Sequence, residues 1–112
     1  MIARIWHGYT TLENADAYEA MLKPELLPGI SNVKGYRGSS LLRRTTGQEV
    51  EFLTILLWDS VDDIRAVAGE DYEVAVIPEE RRRVLSRWDE RASHYEVAAT
   101  HAAPDGVLGQ RQ

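Results

Sequence analysis

The stretch VEFLTILLW at residues 50–58 determines how the rest of the chain must fold. Alternate residues of an extended strand point to opposite faces of a sheet, and both faces of this strand are apolar apart from Glu51 and Thr54. Such a strand is typical of a sheet that is covered on both sides. One or two short helices can cover only one side, so we expect a second copy of the sheet to cover the other.

The composition predicts a single soluble, globular domain. The chain has 112 residues, of which 44% are hydrophobic and 28% are charged, and this length allows one hydrophobic core. No apolar run approaches the roughly 20 residues of a membrane span. The first residues, MIARIWHGY, lack the features of a signal peptide. A cytoplasmic protein without a membrane partner is therefore expected.

Charge and cysteine content exclude several kinds of chemistry. The net charge of -5 argues against a nucleic-acid partner. Arg81, Arg82 and Arg83 follow Glu79 and Glu80 at spacings that predict ion pairs on a solvated helix face. The chain has no cysteine, which excludes disulfides, thiolate nucleophiles and zinc–thiolate sites. Oxygen and imidazole groups remain as candidates for chemistry.

Strand and helix signals follow one another in the order β-α-β-β-α-(α)-β. Alternation with period two predicts strands, and apolar residues spaced by three and four predict helices. Residues 72–77 have no clear period and are either a helix continuation or a connecting segment. The predicted elements are a strand at 2–10, a helix starting near Thr11 or Asn14 and closing at 27–29, strands at 36–44 and 50–58, a helix between Ser60 and Gly69, a third helix from Pro78 to Arg87, and a last strand at 93–99.

These elements predict one ferredoxin-like α+β domain over residues 1–99, with a four-stranded antiparallel sheet. The hairpin turn at residues 45–48 makes the second and third strands antiparallel neighbours. Residues 100–112 show no sustained period and are expected to form a C-terminal tail. Helices on one face of the sheet leave the other face for the partner copy.

With this order of elements, the chain resembles the antibiotic biosynthesis monooxygenase (ABM) family of the dimeric α+β barrel superfamily. The resemblance covers roughly residues 1–97 and rests on the segments RIWHGYT, NADAYEAML, GYRGSSLLRR, EFLTILLWDSVDDIRAVAGED and HYEV. It implies a homodimer whose two sheets form a barrel. It also implies an activity such as the cofactor-free oxidation of a polycyclic phenol to a quinone.

Haem-degrading members of the same family imply a second possible activity. They use an asparagine in the first strand, a tryptophan in the second helix and a haem-ligating histidine shortly after it. A rough alignment places these positions at His7, Val67 and Ile77. Because isoleucine cannot ligate iron, haem degradation is disfavoured and no cofactor is expected.

His7 is the first candidate catalytic residue. It shares a strand face with Ile5 and Tyr9, and the resemblance implies that it points into the cleft between the sheet and the helices. A histidine that titrates near neutrality can take the phenolic proton of a substrate, leaving an electron-rich phenolate that reacts with dioxygen. The alternative is a core histidine that is hydrogen-bonded to a neighbour.

His94 is the second candidate catalytic residue, in an assisting role. It shares one face of the last strand with Glu96, and in the ferredoxin-like order this strand lies beside the first. His7, His94 and Glu96 could then meet in the arrangement that non-haem iron uses. Since a His-x-Glu pair on an edge strand is usually solvated, no metal site is predicted.

Aromatic residues supply the candidates for substrate binding, namely Trp58, Tyr18 and Tyr9. They could hold a small aromatic substrate, although aromatic residues at these spacings also fill cores and dimer interfaces. Two functions stay open. The first is a cofactor-independent monooxygenase that acts on a small aromatic or polycyclic phenol, and the second is a non-catalytic dimeric domain that binds a small ligand or is purely structural.

Overall fold

A computed structural model describes residues 1–26 and 32–102. The predicted end of the first helix at 27–29 and most of the predicted tail lie outside these residues. In the described ranges, none of the helices is long and apolar enough to cross a membrane. The elements are β1 (Ile2–Thr11), α1 (Ala15–Pro24), β2 (Tyr36–Thr46), β3 (Glu49–Trp58), α2 (Val61–Ala68), α3 (Glu79–Arg82), β4 (Arg87–Trp88) and β5 (Ser93–Glu96).

The sheet is antiparallel, and β3 lies between β2 and β1. β2 and β3 are joined by a tight turn in which Gly47 has a φ of 61°, a conformation that glycine adopts without steric cost. On the other side, β3 pairs with β1 over the full length of both strands. The predicted hairpin and the predicted ferredoxin-like α+β fold class are both confirmed.

The outer edge of β1 is shared by two short strands. β5 pairs with residues 2–5, and β4 pairs with Gly8 and Tyr9. Asp89 bridges the gap between them: its backbone N–H donates to the His7 carbonyl at 2.9 Å, and its carboxylate accepts from the His7 backbone N–H at 3.1 Å. The predicted four-stranded sheet therefore has a fifth strand.

The third helix is much shorter than predicted. α3 ends at Arg82, and a few residues later the Ser86 N–H donates to the Tyr9 carbonyl at 2.7 Å. This bond places Arg87 and Trp88 beside β1, where they form β4. The prediction of a helix that continues to Arg87 is wrong because pairing with the free edge of β1 overrides the local helical pattern.

The second helix starts and ends where the sequence predicts. The Ser60 side chain accepts from the Asp63 N–H at 3.2 Å, which satisfies one of the free donors of the first turn. Gly69 closes the helix with a φ of 96°, and its N–H donates to the Arg65 carbonyl at 2.8 Å. These two ends position Ile64, which is buried, against the sheet.

Within residues 1–26 and 32–102, the helices cover only one face of the sheet. On β3, Val50 and Phe52 of this face are fully buried, and they belong to a core that also contains Tyr18, Leu22, Leu26, Ile77 and Leu85. The opposite face of β1 and β3 is also apolar, and its side chains are partly exposed. This helix-free face is formed by Ala3, Ile5, Leu53, Ile55 and Leu57, with Leu42 at its edge.

Candidate ligand-binding cleft

A cleft of about 310 Å³ lies between the helix-covered face of the sheet and the helices. Even-numbered residues of β1 and β3 form its floor, and residues of α1, α2 and the segment 75–81 form its walls. Its volume is at the lower end of the range for small-molecule sites. Most of the lining is aliphatic; the aromatic members are Trp6, Tyr18 and Trp58, and the polar members are Arg4, Glu25, Thr54 and Arg81.

Trp6 is fixed in the floor of the cleft by a neighbouring glycine. A Cβ atom at Gly8 would lie 2.9 Å from the Trp6 ring and 3.0 Å from Leu85, so only glycine leaves room for the indole in this position. The Trp6 Nε1–H also donates to the Asp89 carbonyl at 2.6 Å. Trp6 therefore presents a rigid aromatic surface to the cleft.

Trp58 and Tyr18, both predicted to bind substrate, lie in the lining of the cleft. Tyr18 packs edge-on against Phe52 with ring centroids 4.9 Å apart. Burial raises the pKa of Tyr18 to about 12, against the opposing charge of Arg81, so its hydroxyl is neutral near pH 7. Trp58 is also buried, and its Nε1–H has no acceptor among the described residues. Their role in binding stays a prediction.

His7 and Tyr9 point away from the cleft. They lie on the helix-free face, where His7 Nδ1 donates to the Asp89 carboxylate at 2.7 Å and Nε2 lies 3.7 Å from a Glu51 oxygen. The Arg87 guanidinium carbon lies 3.7 Å from the centroid of the Tyr9 ring. The expectation that His7 faces the cleft is wrong, because the helices cover the even-numbered side of β1. Tyr9, which was a candidate for substrate binding, lies outside the cleft for the same reason.

His94 lies on the cleft side of the sheet, opposite Arg4 in the β1–β5 pairing. Arg4 Nη1 donates to His94 Nε2 at 2.9 Å. Since a guanidinium can only donate, Nε2 is the acceptor and the proton of the neutral imidazole is on Nδ1, which has no acceptor among the described residues. Burial, followed by the charge of Arg4, lowers the pKa of His94, and Glu73 acts in the opposite direction.

The two histidines are therefore on opposite faces of the sheet, and His7, His94 and Glu96 cannot converge on one metal ion. Within the ranges 1–26 and 32–102, no cluster of three metal-ligating side chains is present. His94 instead holds Arg4 in place, a contact that the sequence did not predict.

The environment of His94 predicts a loss of stability in mild acid. The ordinary pKa of histidine is 6.5, and the pKa of His94 in the folded chain is lower. Between these two pKa values the unfolded chain therefore binds more protons than the folded chain. The free energy of unfolding then falls as the pH falls through this range. The groups that face the ring are Arg4, Tyr72 and Glu73. Urea unfolding of the wild type should weaken from about pH 7 to about pH 5, whereas His94→Gln should lose part of this dependence. Identical pH profiles would contradict the assignment.

The two arginines of the cleft differ in their partners. Arg81 forms an ion pair with Glu25, whereas Arg4 has no carboxylate within 4 Å among the described residues and donates to the Tyr72 carbonyl and to His94. Burial lowers the pKa of both guanidinium groups. Among the described residues of the cleft, Arg4 is thus the cation without a carboxylate in direct contact.

Comparison with protein-family models gives no match, and comparison with curated proteins gives none either. Similar solved structures include a proposed antibiotic biosynthesis monooxygenase from Bacillus cereus, with a TM-score of 0.65 and 13% identity over 91% of this chain and 95% of the other. Another is the haem degrader MhuD from Mycobacterium tuberculosis with two haems bound in its active site, with a TM-score of 0.60 and 18% identity over 91% of this chain and 100% of the other. The chain therefore has the fold of the antibiotic biosynthesis monooxygenases, and the resemblance predicted from its sequence is confirmed at the level of the fold.

Proposed function

We propose that the protein is a homodimeric monooxygenase that oxidises a small aromatic phenol in this cleft without a bound cofactor. The observation that carries the proposal is the preformed apolar cleft, whose lining combines Trp6, Tyr18 and Trp58 with the cation of Arg4. Small-molecule sites are typically lined by apolar and aromatic side chains with a few polar groups that fix the orientation of the ligand. The fold shared with the Bacillus cereus protein supports the class of reaction.

The cleft would act mainly by holding the ring and keeping water away from it. Trp6 and Trp58 offer flat surfaces, and the aliphatic walls exclude water from an electron-rich intermediate. In the overall reaction, a phenol and dioxygen give a quinone and water. The substrate supplies all the electrons, one oxygen atom stays in the quinone and the other leaves as water, so no external reductant is needed.

The residues of the cleft do not fit haem. Among the described lining residues, none is a histidine, cysteine or methionine, and Ile77 occupies the position that the resemblance assigns to the haem-ligating histidine. The hydroxyl of Tyr18 stays protonated because its pKa is about 12, and Glu25 is paired with Arg81. Since these groups offer no good iron ligand, no step through haem is proposed.

Filling the cleft should strongly reduce turnover. Ala68 lines the cleft, whereas Ala66 lies on the same helix, is exposed and is not part of the lining. We expect Ala68→Phe to reduce oxygen uptake with an anthrone-type substrate by about tenfold or more, because the substrate can no longer reach its position, and Ala66→Phe to stay within about twofold of the wild type.

Two outcomes of this experiment would count against the proposal. One is an equal loss of uptake in Ala66→Phe and Ala68→Phe, and the other is a wild-type rate no higher than that of the substrate alone. His7→Ala serves as a further comparison, since His7 lies on the other side of the sheet and the variant should keep the wild-type rate. A large loss specific to His7→Ala would restore a catalytic role for this imidazole.

A specific observation favours a second candidate function, that of a non-catalytic small-ligand-binding domain. Within the described residues, the cleft lining offers no unpaired general base, because Glu25 is bonded to Arg81 and His7 is elsewhere. Such a domain would bind aromatic ligands, and quenching of its tryptophan fluorescence would report this, but it would consume no oxygen.

The homodimer in this proposal is supported by the helix-free face. Its apolar side chains, among them Ile5, Leu53 and Ile55, are only partly covered by the described residues of one chain. Packing two such faces against each other would remove them from water and provide the second cover that a two-sided apolar sheet requires.

A further inference from the structure

We propose that Arg4 binds the oxygen of the phenol substrate in its ionised form, so that the cleft itself favours the phenolate and a separate general base is not needed. This inference rests on the proposed function, because it assigns the chemical state in which the aromatic ligand is held.

Arg4 is one of two arginines without a carboxylate partner among the described residues, and of these two it is the one that lines the cleft. Arg4 has no carboxylate within 4 Å, and Glu73, whose charge also acts on it, is already bonded to Arg91 at 3.2 Å. The other is Arg82, which donates to the Ile77 carbonyl. The described arginines that have a carboxylate partner are those at positions 37, 43, 44, 65, 81, 83, 87 and 91.

The contacts of Arg4 among the described residues leave part of its guanidinium group without a partner. Arg4 Nη1 makes both of the contacts within the chain, one to the Tyr72 carbonyl and one to His94 Nε2. Nε and Nη2 have no partner among the described residues, although Arg4 lines the cleft. These two nitrogens form the fork that a guanidinium uses to bind an oxygen anion.

The surroundings of the Arg4 guanidinium group have low polarity. On β3, Leu56 lies directly opposite Arg4, and Trp58 is the next residue on the same face. Attraction between opposite charges is stronger in such surroundings than in water. Burial lowers the pKa of Arg4 and the charge of Glu73 acts in the opposite direction, and a bound anion would add to the effect of Glu73.

The chemical step is an ionisation without any redox change. The O–H bond of the phenol breaks, its proton passes to water, and the phenolate oxygen accepts hydrogen bonds from Nε and Nη2 of Arg4. The guanidinium keeps its own protons throughout. His94 acts as a positioning residue, because its neutral Nε2 accepts from Nη1 and fixes the side chain.

The test uses two probes that differ only in their ability to ionise. 4-Nitrophenol forms a coloured phenolate, whereas 4-nitroanisole has the same ring and cannot ionise. We expect the wild type to bind the phenolate at least about tenfold more tightly than the phenol, so that absorbance titration shows a lower pKa for bound than for free 4-nitrophenol.

Two glutamine variants separate the role of Arg4 from a general effect of positive charge. In Arg4→Gln the preference for the phenolate should disappear, while 4-nitroanisole should bind as tightly as it does to the wild type. Arg82→Gln is the matched control, since it removes a guanidinium that has no carboxylate partner and lies outside the cleft lining. Its preference for the phenolate should remain that of the wild type.

The outcomes distinguish this inference from the proposed function. If 4-nitroanisole binds but phenol and phenolate bind equally well to the wild type, the inference is refuted and the aromatic cleft stands. Retention of the preference in Arg4→Gln would also refute it. If neither probe binds, both the proposed function and the inference fail. The comparison of phenol and phenolate binding to the wild type tests the inference even if Arg4→Gln does not fold.

Discussion

Phe52→Ala is expected to lower the free energy of unfolding by about 3–5 kcal/mol. Phe52 is 0% exposed, packs edge-on against Tyr18 at 4.9 Å and lies beneath the Arg43 guanidinium at 5.4 Å. Its removal costs the transfer free energy of the ring and leaves a cavity between the sheet and α1. Because small domains are stable by only about 5–15 kcal/mol, this is a large part of the total.

Urea denaturation followed by circular dichroism measures this change. Leu12→Ala is the matched control, since Leu12 is 46% exposed and surface changes usually stay within about 0.5 kcal/mol. A loss below about 1 kcal/mol in Phe52→Ala would mean that the centre of the core is not where the structure places it.

Ile55→Lys is expected to convert the proposed homodimer into a folded monomer. Ile55 lies near the middle of β3 on the helix-free face, opposite Ile5 of β1 and Ser40 of β2. In a dimer that packs two such faces together, a buried ammonium without a partner would cost several kcal/mol. The dissociation constant should therefore rise by at least about a hundredfold.

Light scattering at micromolar concentration reports the change in mass. Val67→Lys is the control, since Val67 is 56% exposed and belongs to α2 on the opposite side of the sheet. It should leave the dimer intact. A wild type that is monomeric and well folded under these conditions would remove the homodimer from the proposal, as would a dimer that survives Ile55→Lys.

The long elements could be predicted from the sequence because their patterns are local. Alternation located β1, β2 and β3 to within a few residues, and Ser60 and Gly69 marked the two ends of α2. The two-residue strand β4 has no such pattern. It forms because the Ser86 N–H reaches the Tyr9 carbonyl, a contact between distant parts of the chain that local spacing does not encode.

The side of the sheet that the helices cover could not be predicted from β3, because both of its faces are apolar. Period two correctly shows which residues share a face, but it does not show which face is covered. For this reason the prediction that His7 faces the cleft was wrong. β1 holds a partial signal in Trp6 and Gly8, since a tryptophan and a glycine on one face indicate a place where a large ring lies over backbone.

The residue missed by sequence reasoning is Arg4. It interrupts an otherwise apolar strand just as His7 does, and on its face it is the neighbour of Trp6. An arginine can lie on a protein surface for many reasons, so its position alone is weak evidence of function. Only the folded chain shows that it lines the cleft without a carboxylate partner.

The divided outer edge of the sheet would link the order of β5 to the proposed binding of a ligand. β5 is held to the rest of the sheet by a short ladder on residues 2–5 of β1, yet it carries His94, which fixes Arg4. Fraying of β5 would remove the His94 contact and leave Arg4 held by the Tyr72 carbonyl alone, and an anion bound to Arg4 in its present position would favour the docked strand. For the proposed phenolate, thermodynamic linkage predicts that loosening this strand weakens ligand affinity and that ligand binding protects the strand to the same extent.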